Sequence, residues 1–251
     1  MIKIGVLKNK IETKLINYFL RNVPSYYYER SAKKIDISTD IPVFSALAKS
    51  VISEGRTYLR EDRLYTLFQC ISRLPSNAVA MEIGVFRGGG SKFMAHLLQE
   101  RGAGILYVCD TFSGHAVVDS SIDGGHRVNE GFSVDRLALG DSVLVEDVKD
   151  YLKQYGNVRV IEGDIVKTSQ QIQDKEINLI HLDMDVYPPT KFALEHFWPR
   201  IPVGGMIVGD DYGTSSCKGI KKAVDDFVAK TRDCFSIYLI TGQVVIVKVG
   251  T

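Results

Sequence analysis

From residue 78 onward, short apolar runs alternate with stretches of helical periodicity. The apolar runs predict seven strands, at 78–83, 105–109, 158–161, 177–182, 206–208, 235–240 and 244–249. Periodic stretches at 91–99, 143–155 and 218–230, and a further one between the fourth and fifth strands, predict helices. Strands that alternate with helices form right-handed βαβ units on a parallel sheet. The hairpin signal Thr241-Gly242-Gln243 makes the last strand antiparallel to its neighbour.

The first 76 residues do not follow this alternation. Ile11, Leu15, Ile16 and Phe19 recur at helical spacing within a basic segment. This spacing predicts an amphipathic helix that packs on the domain or on a partner subunit, in preference to a nucleic-acid or membrane contact. Two more helical stretches follow within 42–74. The pattern divides the chain into an N-terminal helical arm at 1–76 and an α/β domain at 77–251, and the long basic arm favours a homo-oligomer.

Composition and charge exclude several classes of protein. The 251 residues carry a formal net charge of +1, which argues against a protein that binds nucleic acid or another polyanion. No run approaches the ~20 apolar residues that span a membrane. No apolar segment typical of a signal peptide follows the basic start. The four cysteines form no CxxC pair, disulfide framework or zinc site. These features predict a cytoplasmic protein without a nucleic-acid or membrane partner.

Two pairs of carboxylates follow the fourth and fifth predicted strands. Asp183 and Asp185 come after the fourth strand, and Asp210 and Asp211 come after the fifth. The carboxyl ends of neighbouring parallel strands meet at one rim of a sheet, so we expect the four side chains to converge there. Like charges this close raise one another's pKa unless a cation separates them, and oxygen ligands favour Mg²⁺ or Mn²⁺ over zinc. The alternative interpretation is that these residues cap helices or face solvent.

Three further features lie at the ends of the first three strands. The run EIGVFRGGGS, at 82–91, is a glycine-rich turn that lets a ligand approach the backbone, although it is not the GxGxxG fingerprint. Asp110 follows the second strand, where a carboxylate accepts hydrogen bonds from ribose hydroxyls. Asp164 and Ile165 follow the third strand, where they suit an adenine amino group and ring face. Each residue alone is equally consistent with a cap or a turn, but together they follow the order of a nucleoside laid along the rim.

These features together resemble the class I S-adenosylmethionine-dependent methyltransferases. The acidic pairs narrow the resemblance to the macrocin-type (TylF-like) O-methyltransferases. The matching segments are EIGVFRGGGS, DTFSG, VEDVKDYLKQYGNVRVIEGD, LDMDVYPPT and IPVGGMIVGDDYG. The resemblance implies a Rossmann-like fold, with a mostly parallel seven-stranded sheet, an antiparallel last strand and helices on both faces. It also implies Mg²⁺-dependent methyl transfer from S-adenosyl-L-methionine to a sugar hydroxyl of a glycosylated small molecule or polysaccharide.

The resemblance also implies roles for individual residues. Asp183, Asp210 and Asp211 are expected to hold Mg²⁺, and Asp185 is expected to be the general base. The implied cofactor contacts are Glu82, Gly84, Phe86, Arg87, Ser91, Asp110, Thr111, Phe112, Asp164 and Ile165, together with Thr57 and Tyr58 in a lid that belongs to the N-terminal arm. The chain departs from the family pattern at Met184, where glycine is usual, and at His181, where an arginine is common.

Several alternatives stay open from the sequence. His115 and His126, in the long polar loop at 113–142, are alternative bases. Asp183-Met184-Asp185 is also a DxD motif, which is typical of metal-dependent glycosyltransferases. A methyltransferase that acts on a catechol-like molecule and a non-catalytic binding module are the remaining alternatives.

Overall fold

The computed structural model describes residues 41–123 and 144–250. The chain divides into two compact units, Met1–Ser45 and Ala46–Thr251. The predicted helix around residues 11–19 and the part of the long loop at 124–142, which includes His126, lie outside the described residues. The assignment of residues 1–76 to an arm with a lid and of residues 77–251 to a catalytic domain stays a prediction.

The alternation of helices and strands follows the sequence pattern closely. Within the described ranges, the α-helices are α1 (Ile41–Ser53), α2 (Glu61–Ile71), α3 (Gly89–Arg101), α4 (Val145–Leu152), α5 (Ile165–Thr168), α6 (Tyr187–Phe197) and α7 (Lys218–Lys230). The strands are β1 (Val79–Ile83), β2 (Ile105–Asp110), β3 (Val158–Glu162), β4 (Leu179–Leu182), β5 (Met206–Gly209), β6 (Cys234–Tyr238) and β7 (Val244–Lys248). All seven predicted strands are present, and none of these described helices is both long and apolar enough to cross a membrane.

The seven strands form one sheet in the order β3-β2-β1-β4-β5-β7-β6. Neighbours from β3 to β5 run parallel, and β7 is antiparallel to both β5 and β6. The predicted mostly parallel sheet with an antiparallel last strand is therefore confirmed. Strands β1, β2 and β3 follow one another towards one edge of the sheet, whereas β4 lies on the other side of β1 and β5 follows it towards the opposite edge. The direction of the strand order therefore reverses between β1 and β4. In sheets of this type, ligands bind outside the carboxyl ends of the strands at such a reversal.

The two faces of the sheet differ in chemistry near its centre. Met81, Ile180 and Ile207 belong to an apolar cluster that includes Leu194 of α6 and Val224 of α7. Burying one such side chain contributes roughly 1.5–3 kcal/mol, so this cluster anchors both helices to the sheet. Successive side chains of a strand point to opposite faces, so the residues next to these on β1 and β4 face the other way. The second face of the sheet lies on the side of α2 and α3. These two helices pack on each other, and α3 also packs on β2.

Backbone hydrogen bonds continue the sheet one step beyond the strand ends at the carboxyl rim. Four bonds of 2.8–3.0 Å join each loop to the strand end beside it: Gly163 to Asp110, Gly84 to Cys109, Asp183 to Ile83, and Asp210 to Leu182. The five loops that follow β3, β2, β1, β4 and β5 are therefore held side by side. The residues predicted to contact a nucleoside and the predicted acidic cluster lie along this one rim, in that order.

Candidate active site

Among the described residues, side chains of the types that can bind a metal ion gather in two neighbouring groups at the rim beyond β4 and β5. Within each group the ligand atoms lie within 4.8 Å of one another: the first acidic group is His181, Asp183 and Asp210, and the second acidic group is Asp185, Asp211 and Cys217. Asp210 and Asp211 are buried, whereas Asp183 and Asp185 are half-buried. The structure thus brings the four predicted carboxylates together, and the peptide bond between Asp210 and Asp211 joins the two groups.

The charge of the Asp183 carboxylate is compensated less than that of Asp210. Burial raises the pKa of Asp183 well above its ordinary value, and the nearby charge of Asp210 raises it further. No hydrogen bond from the described residues reaches the Asp183 carboxylate. A cation placed against this carboxylate would relieve the repulsion that raises its pKa.

Arg63, on the first turn of α2, reaches into both acidic groups. Its Nη1 forms an ion pair with Asp210, and both Nη1 and Nη2 donate to Asp211 Oδ1 at 3.0 Å. Burial lowers the pKa of Arg63, but the charges of Asp210 and Asp211 outweigh burial and raise the pKa overall. The guanidinium therefore stays charged and neutralises part of the acidic cluster.

Asp210 is held as a charged carboxylate by several partners. The side-chain amide of Gln243, in the turn between β6 and β7, donates to Asp210 Oδ1 at 2.7 Å. Burial alone would raise the pKa of Asp210, but His181 and Arg63 reverse the effect and lower it below the ordinary value. Asp210 is thus ionised and pre-positioned at the centre of the rim.

His181 on β4 links the first acidic group to Glu82 on β1. The two residues are in register across the sheet, and His181 Nδ1 lies 3.1 Å from Glu82 Oε1. The Ser91 hydroxyl donates to the other oxygen of Glu82. Burial lowers the pKa of His181, but Asp210 and Glu82 outweigh it and raise the pKa to about 10. Glu82 and Ser91, both predicted as cofactor contacts, are therefore bonded to each other, and Glu82 is also bonded to His181.

The second acidic group surrounds Asp185. The Cys217 thiol donates to Asp185 Oδ1 at 3.2 Å and lies 4.0 Å from Asp211 Oδ2. Burial, and then the charges of Asp185 and Asp211, raise the pKa of Cys217, so it remains a neutral thiol. The backbones of Asp185 and Asp211 are left-handed, with φ of +62° and +55°. Apart from glycine, Asn and Asp accept this conformation most readily, so both carboxylates stand where the chain turns sharply after a strand.

Thr57 and Tyr58 lie against the glycine-rich turn after β1. A Cβ atom added to Gly89 would lie only 2.7 Å from the Cβ of Thr57, so the two segments are in close contact. The Tyr58 ring stacks on Phe86 with ring centroids 4.7 Å apart, and the Arg87 guanidinium lies 5.7 Å from the centre of the same ring. The structure thus brings four predicted cofactor contacts together: Thr57, Tyr58, Phe86 and Arg87.

Asp110 ties the loops after β1 and β2 together. Its Oδ2 accepts from the backbone N–H groups of Val85 at 2.6 Å and Phe86 at 3.3 Å, and its Oδ1 accepts from Phe112 at 2.8 Å. The Thr111 hydroxyl donates to a backbone carbonyl in the same turn. Asp110 is half-buried, so its carboxylate both shapes the glycine-rich turn and reaches the open side of the rim.

Asp164 and Ile165 occupy the loop after β3, at the far end of the row. Asp164 Oδ1 accepts from the Val166 N–H at 3.0 Å and caps α5, as the alternative interpretation of this residue expected. Ile165 is only 4% exposed and belongs to the apolar core. A cap through Oδ1 is compatible with a ligand contact through Oδ2, whereas Ile165 supports the loop mainly by packing.

The described part of the loop after β2 reaches the acidic rim. Asp123 is buried, and its Oδ1 accepts from the Tyr187 N–H at 2.8 Å at the start of α6. His115, one of the two alternative bases, is half-buried, and burial lowers its pKa. The loop is therefore anchored next to the second acidic group.

The sequence patterns did not identify Arg63, Cys217 or Gln243, and they gave His181 no role. Arg63 lies between Asp62 and an apolar residue on an amphipathic helix, where an arginine typically faces solvent. The other residues carry no motif of their own. Their positions become meaningful only once the strand order brings them to the acidic rim.

The sheet order, the reversal between β1 and β4, and the row of rim loops define a class I methyltransferase fold. Among solved structures, the O-methyltransferase NovP matches with a TM-score of 0.61 and 24% sequence identity. The match covers 78% of this chain and 83% of that chain. At this level of identity the likeness concerns the fold.

The sequence identifies the family directly. The pattern of the macrocin-O-methyltransferase (TylF) family matches residues 25–240. The 8-demethyl-8-(2,3-dimethoxy-alpha-L-rhamnosyl)-tetracenomycin-C 4'-O-methyltransferase of Streptomyces olivaceus is 32% identical over 187 residues, which cover 70% of this chain and 68% of that protein. The demethyldecarbamoylnovobiocin O-methyltransferase of Streptomyces niveus is 28% identical over 205 residues, which cover 74% and 75%. The chain belongs to the macrocin-O-methyltransferase family, and it is an O-methyltransferase.

Proposed function

We propose that this enzyme transfers the methyl group of S-adenosyl-L-methionine to a sugar hydroxyl of a glycosylated small molecule, with Mg²⁺ at the acidic rim and Asp185 as general base. The observation that carries the proposal is the single row of rim loops, in which the glycine-rich turn is the immediate neighbour of the acidic groups. The substrate class is supported by the relatives, whose names describe methylation of a rhamnosyl-tetracenomycin and of demethyldecarbamoylnovobiocin.

The half of the rim formed by β3, β2 and β1 suits the cofactor. Asp164 and Asp110 offer carboxylates in adjacent loops, as adenine and ribose require. The Tyr58 ring stacks on Phe86, which belongs to the glycine-rich turn. Gly84 leaves no room for a side chain against the Asp183 carbonyl, so the turn lies directly beside the acidic groups. When bound, S-adenosylmethionine supplies a methyl group on a sulfonium centre.

The donor set suits a hard divalent cation. Asp183, Asp210 and Asp211 are the proposed ligands, and carboxylate oxygens are what Mg²⁺ prefers. Burial and the charge of Asp210 raise the pKa of Asp183, and among the described residues the ion pairs of Arg63 go to Asp210 and Asp211, so negative charge is in excess at Asp183. When bound, Mg²⁺ supplies positive charge that lowers the pKa of an acceptor hydroxyl and helps to orient it.

Asp185 is the proposed proton acceptor. It lies in the second acidic group, beside the proposed cation ligands, and the Cys217 thiol fixes its Oδ1 at 3.2 Å. A sugar hydroxyl is a very weak acid, so it needs both a positioned base and a nearby positive charge. General-base catalysis of this kind contributes about 10²–10⁴-fold in rate. The rim loops hold donor and acceptor in fixed positions, and such alignment removes a further part of the barrier.

The variant Asp185→Asn tests the assignment of the base. We expect it to bind S-adenosylhomocysteine and Mg²⁺ as the wild type does in calorimetry, and to lose about 10²–10⁴-fold in turnover because the amide cannot accept the proton. Turnover is measured as methylated glycoside by mass spectrometry, with a rhamnosyl-tetracenomycin as acceptor.

The matched control is Asp225→Asn, which removes an exposed carboxylate of α7 that pairs with Lys221. This variant should turn over at the wild-type rate. Wild-type turnover in Asp185→Asn would contradict the role of Asp185 as base.

A further inference from the structure

His181 presents an unpartnered nitrogen atom to the first acidic group. Its imidazole ring is fully buried, and Nε2 has no hydrogen-bond partner among the residues that the structure describes. Nε2 lies 3.9 Å from Asp210 Oδ1, which is too long for a hydrogen bond. Buried polar atoms are almost always satisfied, so an orphan nitrogen that faces two carboxylates needs a partner.

The opposite side of the ring fixes how His181 is oriented. Nδ1 lies 3.1 Å from Glu82 Oε1, and the Ser91 hydroxyl holds the second oxygen of Glu82. When the imidazole is neutral and Nδ1 donates to Glu82, the lone pair of Nε2 points to the first acidic group, so a cation bound there would take the place of a proton on Nε2. Histidines that bind metals generally donate their other N–H to a carboxylate, a backbone carbonyl or water, which is the arrangement seen here.

The distances of the first acidic group suit one ion. Ligands bound about 2.1 Å from an ion lie at most about 4.2 Å apart. The Nε2–Asp210 distance of 3.9 Å already meets this limit. The ligand atoms of Asp183, Asp210 and His181 all lie within 4.8 Å of one another, so only a small inward movement would close the set.

We propose that His181 Nε2 is a direct ligand of the cation, beside Asp183 and Asp210, at a position that an all-oxygen site would leave to water. This inference rests on the proposed function, because it specifies the cation that the acidic rim holds. An imidazole ligand favours a divalent transition metal over Mg²⁺, so Mn²⁺ binds more tightly than Mg²⁺. Glu82 is then a positioning residue for His181 rather than a cofactor contact.

Pulsed electron paramagnetic resonance of Mn²⁺ added to the chelator-treated full-length protein tests this proposal. We expect ¹⁴N hyperfine coupling from one bound imidazole, replaced by the ¹⁵N pattern when the protein is made with ¹⁵N-histidine. The ¹⁵N-histidine-labelled wild-type protein shows whether an imidazole nitrogen binds Mn²⁺, even where a variant fails to fold.

Two variants test whether the nitrogen coupled to Mn²⁺ belongs to His181. His181→Gln retains an N–H donor for Glu82, and we expect it to lose the coupling and to bind Mn²⁺ at least about tenfold more weakly. His196→Gln, which changes an exposed histidine of α6, should keep the coupling and the affinity.

The outcomes separate this inference from the proposed function. Bound Mn²⁺ without nitrogen coupling, or coupling that persists in His181→Gln, would overturn the role of His181 and leave a cation-dependent enzyme. If Mn²⁺ does not bind while S-adenosylhomocysteine still does, the cation itself is removed from the proposed function, and this inference fails with it.

Discussion

At the scale of single residues, identical side chains in the acidic rim behave in opposite ways. The pKa of Asp210 is lowered because His181 and Arg63 outweigh its burial. The pKa of Asp183 is raised because burial and the charge of Asp210 act in the same direction. Neighbouring carboxylates whose pKa values are driven apart are typical of functional sites. The sequence shows four Asp residues at this rim, but it does not show which of them lack compensation.

Gly84 allows the glycine-rich turn after β1 to lie close to the loop after β4, which carries Asp183. Its φ is +89°, and an added Cβ would overlap the backbone carbonyl of Asp183. We expect Gly84→Ala to lower the melting temperature and to weaken binding of S-adenosylhomocysteine, because the glycine-rich turn must move away from β4. Gly204→Ala is the matched control, since φ there is +82° and an added Cβ would have no neighbour within 4 Å.

The two glycines separate backbone strain from crowding. Both substitutions carry a left-handed backbone penalty of roughly 1–2 kcal/mol. Only Gly84→Ala adds overpacking of roughly 1–3 kcal/mol, so it should be the more destabilising in urea unfolding. Equal losses of stability in the two variants would contradict the close approach of Gly84 to Asp183.

At the scale of elements, the acidic rim is completed by parts of the chain that are remote in sequence. Helix α2 supplies Arg63, which is 147 positions before its partner Asp210. The turn between β6 and β7 supplies Gln243, and Arg63 Nε also donates to the Thr241 carbonyl in that turn at 3.3 Å. The helix before the sheet and the hairpin that ends it are therefore joined through the acidic cluster.

Arg63→Met tests whether α2 supplies a counter-charge that a cation can replace. Removing one partner of a buried ion pair costs roughly 3–5 kcal/mol, so the metal-free variant should unfold at a lower temperature. We expect added Mg²⁺ to raise the melting temperature more in this variant than in the wild type, because the guanidinium no longer opposes the cation.

Arg60→Met, in the residue just before α2, is the control for this prediction. The Arg60 side chain is 42% exposed and pairs with Asp62, outside the acidic cluster. This variant should respond to Mg²⁺ as the wild type does. An equal Mg²⁺ effect in Arg63→Met and wild type would show that α2 and the cation act independently.

At the scale of the whole molecule, the sequence predicts the sheet better than the site. Strands such as β5 are continuous apolar runs, so period and composition locate them, and the alternation with helices predicts their parallel arrangement. The rim positions of Asp110, Asp183 and Asp210 follow from the strand ends. The partners of these residues cannot be read from the strand ends. The pairing of Glu82 with His181 depends on strand register, and the ion pair of Arg63 with Asp210 depends on the packing of α2 against the rim.

The ends of the predicted strands and helices also show what the sequence pattern does not determine. The predicted fourth strand starts at 177, but β4 starts at Leu179. Ile177 is already buried and the Asn178 N–H already donates to the Val79 carbonyl at 2.7 Å, so burial and backbone pairing begin before the regular strand does. The predicted helix at 91–99 starts two residues later than α3, since Gly88 turns the chain with φ of +85° and lets glycines form the first helical turn. Apolar pattern reports burial, whereas element ends depend on backbone geometry.

The central claim is that a divalent cation and the sulfonium nucleoside occupy neighbouring places on one rim. The most direct test is the nuclear magnetic resonance line of the ¹³C-labelled methyl group of bound S-adenosylmethionine during titration with Mn²⁺, without an acceptor. We expect Mn²⁺ to broaden this line strongly in the wild type and not in the double variant Asp183→Asn, Asp210→Asn. A methyl line that stays sharp when the wild-type protein is saturated with both Mn²⁺ and S-adenosylmethionine would contradict the account.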